Sequence, residues 1–566
     1  MNINEKYQLW LHWPDLDPEL REELEKMDQK AINDAFYTNV EFGTAGMRGI
    51  MGAGSNRLNI YTLRKANEGF ARYIEKNGES AKEQGVAIAY DNRYHSKQFA
   101  KESAQLLASH NIKSYLFESL RPTPELSFAV RYLHCFGGIM ITASHNPKEY
   151  NGYKLYDQNG CQLVPNLVSQ VIDEVNKIEN ELELKIEVSK AQEKLIKVIG
   201  KEVDEPYYQK VLSIQKNPQL DHKDIKIVYT PQCGTGNVPI HELFKRIGYD
   251  VIYVKEQCDP DPAFSTTITP NPEQPEAYKL ALEYARKNNA DLVLTTDPDA
   301  DRLGVGCRKG DDYVLLTGNQ GGSILLEYIL SQLKLQHHLP KNPVMFNTIV
   351  TSDLGEIIAE SYGVSTEKTL TGFKFIGDKI AKYEANKEKN FVFGYEESYG
   401  YLIAPFVRDK DAMQSCTLLA ECANYYLQQG KTLYDVLIEL YKKYGWYAES
   451  QQSIQFPGAD GSKEMEKMLD LLRSENPERI SKYLVVKKED YQNQTALQQG
   501  RLCKLTGFPK SDVLKYYLED ASWVAVRPSG TEPKCKFYYC VRGKDQADVD
   551  NKTKELQAAM AKMIGR

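Results

Sequence analysis

No two of the ten cysteines stand in a C-x-x-C pair, so the commonest zinc and dithiol signatures are missing and the thiols read as reduced core residues. Long apolar runs are missing as well. The longest, 127–143, is interrupted by Arg131 and His134, and the polar N-terminus, Met-Asn-Ile-Asn-Glu-Lys-Tyr, has no apolar h-region. A cytoplasmic protein with no membrane partner is therefore expected. Excess positive charge is also lacking: 71 Lys+Arg against 78 Asp+Glu leave a formal charge of −7, so no global field draws the chain to nucleic acid, and any anion site has to be local. Finally, no long Ser/Gly linker marks a domain boundary.

The 566 residues, 42% hydrophobic and 26% charged, lie near the soluble globular average and suffice for several domains with their own cores. Three short β-rich runs, 85–91, 225–230 and 344–350, are each followed by helical spacing, which predicts strand-to-helix units feeding parallel sheets. Beyond about residue 443 the pattern changes to a helix (462–474) and strands near 523–527 and 536–541, as in a smaller α+β domain. The expected divisions are 1–205, 206–318, 319–443 and 444–566. The charged stretch 179–202 reads as a solvated helix and linker.

Four loops carry residues suited to chemistry. Thr142-Ala-Ser144-His145-Asn146-Pro147 follows the apolar run Gly138-Ile-Met-Ile141, which puts Ser144 on a turn at the carboxyl end of a strand. A nucleophile and an ordinary hydroxyl-stabilised turn both fit, and the Gly-x-Ser-x-Gly frame of a hydrolase elbow is absent. In Leu292-Val-Leu-Thr-Thr-Asp297-Pro-Asp299-Ala-Asp301-Arg302, three carboxylates at alternate positions repel one another unless a hard cation gathers them, and oxygen-only ligation suits Mg²⁺. An EF-hand is excluded, since Arg302 and Arg308 stand where Gly and Glu are needed. Gly394-Tyr-Glu396-Glu397-Ser398-Tyr-Gly400 offers acceptors for vicinal hydroxyls, although a plain surface turn fits equally; Arg408-Asp-Lys410-Asp411 reads first as a salt-bridged cluster. Arg527-Pro-Ser529-Gly530-Thr531-Glu-Pro-Lys534 combines a guanidinium, hydroxyls and a glycine turn, a nest sized for phosphate. Gly430-Lys-Thr and Gly234-Thr-Gly lack the further glycines of a P-loop or dinucleotide fingerprint.

Taken together and in this order, the loops resemble the α-D-phosphohexomutase superfamily from about Gly43 to Phe537, most specifically at 142–147, 297–302 and 527–534. The resemblance implies an α/β fold of four domains, three similar mixed-sheet α/β units and a C-terminal α+β phosphate-binding domain around a central cleft. It implies that Ser144 carries a phosphoryl group that passes to the sugar phosphate through a bisphosphate, and that Asp297, Asp299 and Asp301, with a phosphoserine oxygen at Ser144, hold Mg²⁺. Arg48, in Gly43-Thr-Ala-Gly-Met-Arg48-Gly49, and Lys154 match the basic residues beside the transferring group, whose charge stabilises phosphoryl oxygens. Glu396 and Ser398 match sugar-hydroxyl contacts, Lys374 and Arg302 further substrate contacts, and Arg527, Ser529, Gly530 and Thr531 the distal phosphate site.

Members acting on both mannose and glucose phosphates often end the sugar loop in Gly-His; here Ser398-Tyr-Gly400 has no His, so Lys410 resembles the general acid/base of glucose-type members, with His145 the next candidate. Gly372-Phe-Lys374 is similar to the glucose-type loop. The expected activity is interconversion of α-D-glucose 1-phosphate and glucose 6-phosphate with glucose 1,6-bisphosphate as primer and intermediate; action on pentose or mannose phosphates is the alternative. A serine-dependent phosphatase would use the same residues but release inorganic phosphate. A sugar-phosphate sensor would have little use for a nucleophile beside three metal ligands.

Overall fold

The computed structural model describes residues 1–43, 46–220, 222–456, 461–528 and 534–565. The chain packs as two units, one formed by 1–318 with 373–432, the other by 319–372 with 433–566. The third expected segment, 319–443, is thus shared between them.

The first unit holds two mixed sheets. Seven strands, β1 (Phe42–Gly43), β2 (Gly46–Ile50), β3 (Val86–Tyr90), β4 (Ser114–Phe117), β5 (Gly137–Ile141), β6 (Tyr150–Asp157) and β7 (Ile196–Ile199), lie in the order β1-β2-β6-β5-β3-β4-β7. β5, β3, β4 and β7 run parallel, and β6, β2 and β1 add antiparallel neighbours. Every residue of β3 and β5 is buried, which explains why their sequences are continuous apolar runs with no polar alternation. The second sheet, from β8 (Ile227–Thr230), β9 (Val251–Tyr253), β10 (Leu292–Thr296), β11 (Leu303–Lys309) and β12 (Asp312–Leu316), has the order β12-β11-β10-β8-β9, parallel across β10-β8-β9 and antiparallel beyond.

One expectation fails here. The stretch 179–202 is no linker: it contains β7, which pairs in register with β4, and Leu182, which is buried with Trp10, Leu24 and Tyr61 under the helices of residues 3–36. Glutamates and lysines dominate its composition, yet Ile196 packs against the sheet's core and Ile199 is buried on the other face, and charge is what an edge strand tolerates on its open side.

In the second unit β13 (Pro343–Thr348) pairs parallel with β14 (Ser365–Thr369). In the first, β15 (Asn390–Glu396) and β16 (Gly400–Leu402) form an antiparallel hairpin. The C-terminal part of the second unit is an antiparallel sheet that includes Trp446–Gln455, Leu514–Leu518, Trp523–Pro528 and Lys534–Gly543, backed by helices Gly461–Ser474 and Gln546–Met563 over Leu472, Val524, Phe537 and Leu556. Among the described residues, no helix is long and apolar enough to cross a membrane.

Candidate functional site

Ser144, Lys154, the three aspartates and the sugar-loop residues all lie in the first unit. β5 and β10 end in polar loops, so Ser144 and Asp297 both sit past the carboxyl ends of fully buried strands. Ser144 is 3% exposed and has φ +52°. Its N–H donates to Thr142 Oγ1 (2.8 Å), and its hydroxyl donates to Asp297 Oδ2 (2.8 Å) and lies 3.1 Å from His145 Nδ1. Burial, together with the cations Arg302 and Arg48, holds the His145 pKa well below its ordinary value, so the imidazole is neutral. Arg48, exposed on β2, donates to Asn146 Oδ1 at 2.9 Å.

The three aspartates offer carboxylate oxygens within 4.8 Å of one another, and all three residues are buried. The loop folds on itself, since the N–H groups of Asp301 and Arg302 donate to Asp297 Oδ1 at 3.1 and 3.0 Å. Lys154 Nζ donates to Asp299 Oδ2 (2.9 Å), which also accepts from the Thr123 hydroxyl (2.8 Å). Burial and the charges of Asp299 and Asp301 push Asp297 well above the usual carboxylate range; burial acts the same way on Asp299, but the Lys154 charge together with hydrogen bonds from Asp297, Lys154 and Thr123 outweighs it and holds that group down. Asp299 Oδ1 and Asp301 Oδ1 are buried and accept no hydrogen bond. Orphaned carboxylate oxygens inside an all-oxygen cluster are the donor set a hard dication takes, so the residues fit a metal ion.

The hairpin of β15 and β16 meets this loop. Leu303 N–H donates to Tyr399 O (3.0 Å), and Arg302 pairs with Gly400. Glu396 is buried at the end of β15, and Ser398 is half-buried in the turn. The Lys410 stem crosses Gly400 so closely that a β-carbon there would lie 2.0 Å from its Cδ. Lys410 Nζ stands 3.0 Å from both Asp301 Oδ2 and Asp409 Oδ1. Burial alone would lower its pKa, but Asp301, Asp409 and Glu396 prevail and raise it. A lysine serving as base at neutral pH needs the opposite shift, so this arrangement holds Lys410 as the ammonium. Arg302 is ion-paired with Glu273, and Lys374, buried on the first turn of helix Phe373–Asn386, carries its Nζ 5.4 Å from the Phe375 ring. In the second unit, Arg527 is half-buried near the end of strand Trp523–Pro528; Ser529, Gly530 and Thr531 lie outside the described residues.

Four family models match in succession: phosphoglucomutase/phosphomannomutase α/β/α domain I over residues 39–182, domain II over 205–310, domain III over 317–444 and the C-terminal domain over 472–561. The chain belongs to the phosphoglucomutase/phosphomannomutase family. It is 38% identical over 510 residues to a phosphoglucomutase of Staphylococcus epidermidis, covering 89% of this chain and 91% of that one, and 38% identical over 526 residues to one of Staphylococcus aureus, covering 92% of each. Among solved structures, the fold is shared with the phosphoglucomutase parafusin from Paramecium (TM-score 0.69, 18% identity, 94% of this chain and 96% of that one). It is also shared with a phosphoglucomutase/phosphomannomutase family protein from Burkholderia thailandensis (TM-score 0.67, 16% identity, 93% and 97%).

Within this family member, several residues at the site escape sequence reasoning. Arg93 hydrogen-bonds the Ser144 loop, Thr123 and Glu273 hold Asp299 and Arg302, and Tyr156 donates to Asp409 Oδ2 at 2.8 Å. Asp91-Asn-Arg93 directly after the apolar run 85–90 is a local signal of the same kind as the Ser144 loop. Thr123, Glu273 and Tyr156 have no such signal.

Proposed function

We propose that this phosphomutase interconverts α-D-glucose 1-phosphate and glucose 6-phosphate by way of a phosphoryl group on Ser144 and a glucose 1,6-bisphosphate intermediate. The observation that carries the reading is the buried Ser144 hydroxyl hydrogen-bonded at 2.8 Å to the acid cluster, with Lys154 and Lys410 on that cluster's other carboxylates. In the first half-reaction the Oγ–phosphorus bond breaks and a bond forms from phosphorus to the sugar O6, whose proton leaves as Oγ gains one. After the bisphosphate reorients, the bond between O1 and phosphorus breaks as phosphorus bonds Ser144 Oγ, which gives up its proton while O1 gains one. Asp297, Asp299 and Asp301, with an oxygen of the phosphorylated Ser144, would hold Mg²⁺, which supplies charge neutralisation on phosphoryl oxygens when bound.

His145, a neutral imidazole with Nδ1 3.1 Å from Oγ, is placed to take the Ser144 proton when Oγ is phosphorylated again. Lys410, held as an ammonium beside Asp301 and Asp409, is in the acid form of an acid/base group for the sugar hydroxyl. Arg48 and Lys154 stabilise the phosphoryl oxygens, Glu396 and Ser398 receive sugar hydroxyls, and Lys374 and Arg302 contact the substrate. Arg527, with Ser529, Gly530 and Thr531, takes the phosphate that does not react, its guanidinium acting bidentately. The chain's own departure from a Gly-His sugar loop favours glucose over mannose.

The test is to offer α-D-glucose, α-D-mannose and α-D-ribose 1-phosphates with Mg²⁺ and a trace of bisphosphate and to follow the 6- and 5-phosphate products. Highest kcat/KM on the glucose substrate is expected. Preference for mannose or ribose would replace the substrate assignment, and stoichiometric release of inorganic phosphate would replace the reaction.

A further inference from the structure

Four carbonyl oxygens of the segment that carries Ser144 converge on one buried side chain. Arg93, on the turn after β3, donates from Nη2 to the carbonyls of Ser144 (2.6 Å) and Asn146 (2.5 Å), and from Nη1 to those of Pro147 (2.8 Å) and Tyr150 (3.0 Å). Its Nε lies 3.3 Å from Asp91 Oδ2, with both side chains wholly buried, and the Phe264 ring centre is 5.1 Å from the guanidinium carbon. Asp91 is itself fixed. Its Oδ1 accepts from the Ser96 hydroxyl (2.7 Å) and from the Arg93 N–H (3.0 Å), and its N–H donates to Ile141 O (3.1 Å) at the end of the strand that leads into Ser144.

A side-chain-bearing residue at φ +52° persists only where its surroundings over-determine it. Ser144 is held on both sides, by Thr142 Oγ1 at its N–H and by Arg93 at its carbonyl. A planar guanidinium can gather carbonyls along two edges at once, which a point-like ammonium cannot. Each carbonyl bound to Arg93 also has its negative end neutralised there.

We propose that Arg93 is the positioning residue of the phosphoryl carrier: by gathering these four carbonyls it holds Ser144 in the left-handed conformation and fixes the direction of Oγ and of the group carried on it. The Arg93 guanidinium hydrogen-bonds these backbone carbonyls and so acts on Oγ through the backbone. The proposal rests on the reading of Ser144 as the carrier.

The experiment compares Arg93→Met, Arg93→Lys and Asp91→Asn with wild type in steady-state turnover, in single-turnover transfer from the phosphorylated enzyme to glucose 6-phosphate, and in thermal unfolding. Misdirected Oγ predicts that kcat falls about 100-fold in Arg93→Met, with KM for glucose 1-phosphate within about twofold of wild type. Arg93→Lys should recover part of that loss, and single-turnover transfer should slow in parallel with kcat. Wild-type transfer in Arg93→Lys and Asp91→Asn, or losses of kcat that follow only the loss of folded protein, would overturn the proposal; these two milder variants keep it testable if Arg93→Met does not fold. Intact mass after exposure to glucose 1,6-bisphosphate separates the two readings. Wild type without phosphate on Ser144 ends the carrier assignment, whereas phosphate there with unimpaired transfer in the Arg93 variants ends only the positioning role.

Discussion

Ser144 and Asp411 show how far a single side chain depends on where it is buried. A hydroxyl on a surface turn is worth less than about 0.5 kcal/mol, but Ser144 is buried and donates to Asp297, so Ser144→Ala should cost about 1–2 kcal/mol while leaving a folded protein. Turnover should fall to background and the mass gain of one phosphoryl group should vanish; an Ala variant that keeps wild-type turnover would remove the carrier. Asp411 caps helix Ala412–Leu427 and accepts from Tyr207, yet burial pushes its pKa up to about 6. A carboxyl raised above its unfolded value of about 3.9 holds its proton in the native state between those two pKa values, so its contribution to stability is lost as pH rises through that window. Asparagine keeps the cap without titrating. The stability of Asp411→Asn relative to wild type should therefore climb by up to ~3 kcal/mol between pH 4 and 7 and stay level above, read as the difference in thermal midpoints. A flat difference would mean that Asp411 is ionised throughout.

At the scale of elements, the β15–β16 hairpin and the Lys410 segment work as a pair because Gly400 has no side chain. Gly400→Ala would place a β-carbon 2.0 Å from Lys410 Cδ and push the lysine off Asp301. Loss of kcat comparable with that in Lys410→Met is expected, with unfolding little altered because the stem of a lysine can move; an Ala variant with normal kcat would show that Lys410 needs no fixed path. Helix Thr123–Tyr132 shows the complementary case. It opens with Thr123, whose N–H and hydroxyl both bind Asp299, so an element of the first sheet's layer holds the acid loop of the second. Strand β7, charged in sequence and paired in space, belongs to the same lesson: its role follows from the free edge of β4 rather than from its own composition.

For the molecule as a whole, a net charge of −7 leaves anion binding to local clusters of Arg48, Lys154, Lys410 and Arg302 around three carboxylates. Burial, and after it the charges of Asp299 and Asp301, disfavour the ionised form of Asp297, and a dication offsets both. Excess chelator should abolish turnover and added Mg²⁺ should restore it, with far-ultraviolet circular dichroism unchanged, because the loop is also held by its own backbone hydrogen bonds. Full turnover in chelator would refute the metal assignment.

By itself the sequence determined the chemistry-bearing loops and the class of fold. Ser144, the three aspartates and the Glu396 loop are each written within a few residues after an apolar strand, and short-range signals of that kind survive without tertiary information. What the loops do to one another was decided only in space. Arg93 reaches Ser144 across 51 residues and Thr123 reaches Asp299 across 176, so no local pattern announces either contact. The protonation of Lys410 is of the same kind: the sequence shows acids on both sides of it, but Asp409 faces the amine at 3.0 Å while Asp411 turns to Tyr207 and the helix N-terminus. Charge state follows from distance and burial, and those are properties of the folded chain alone.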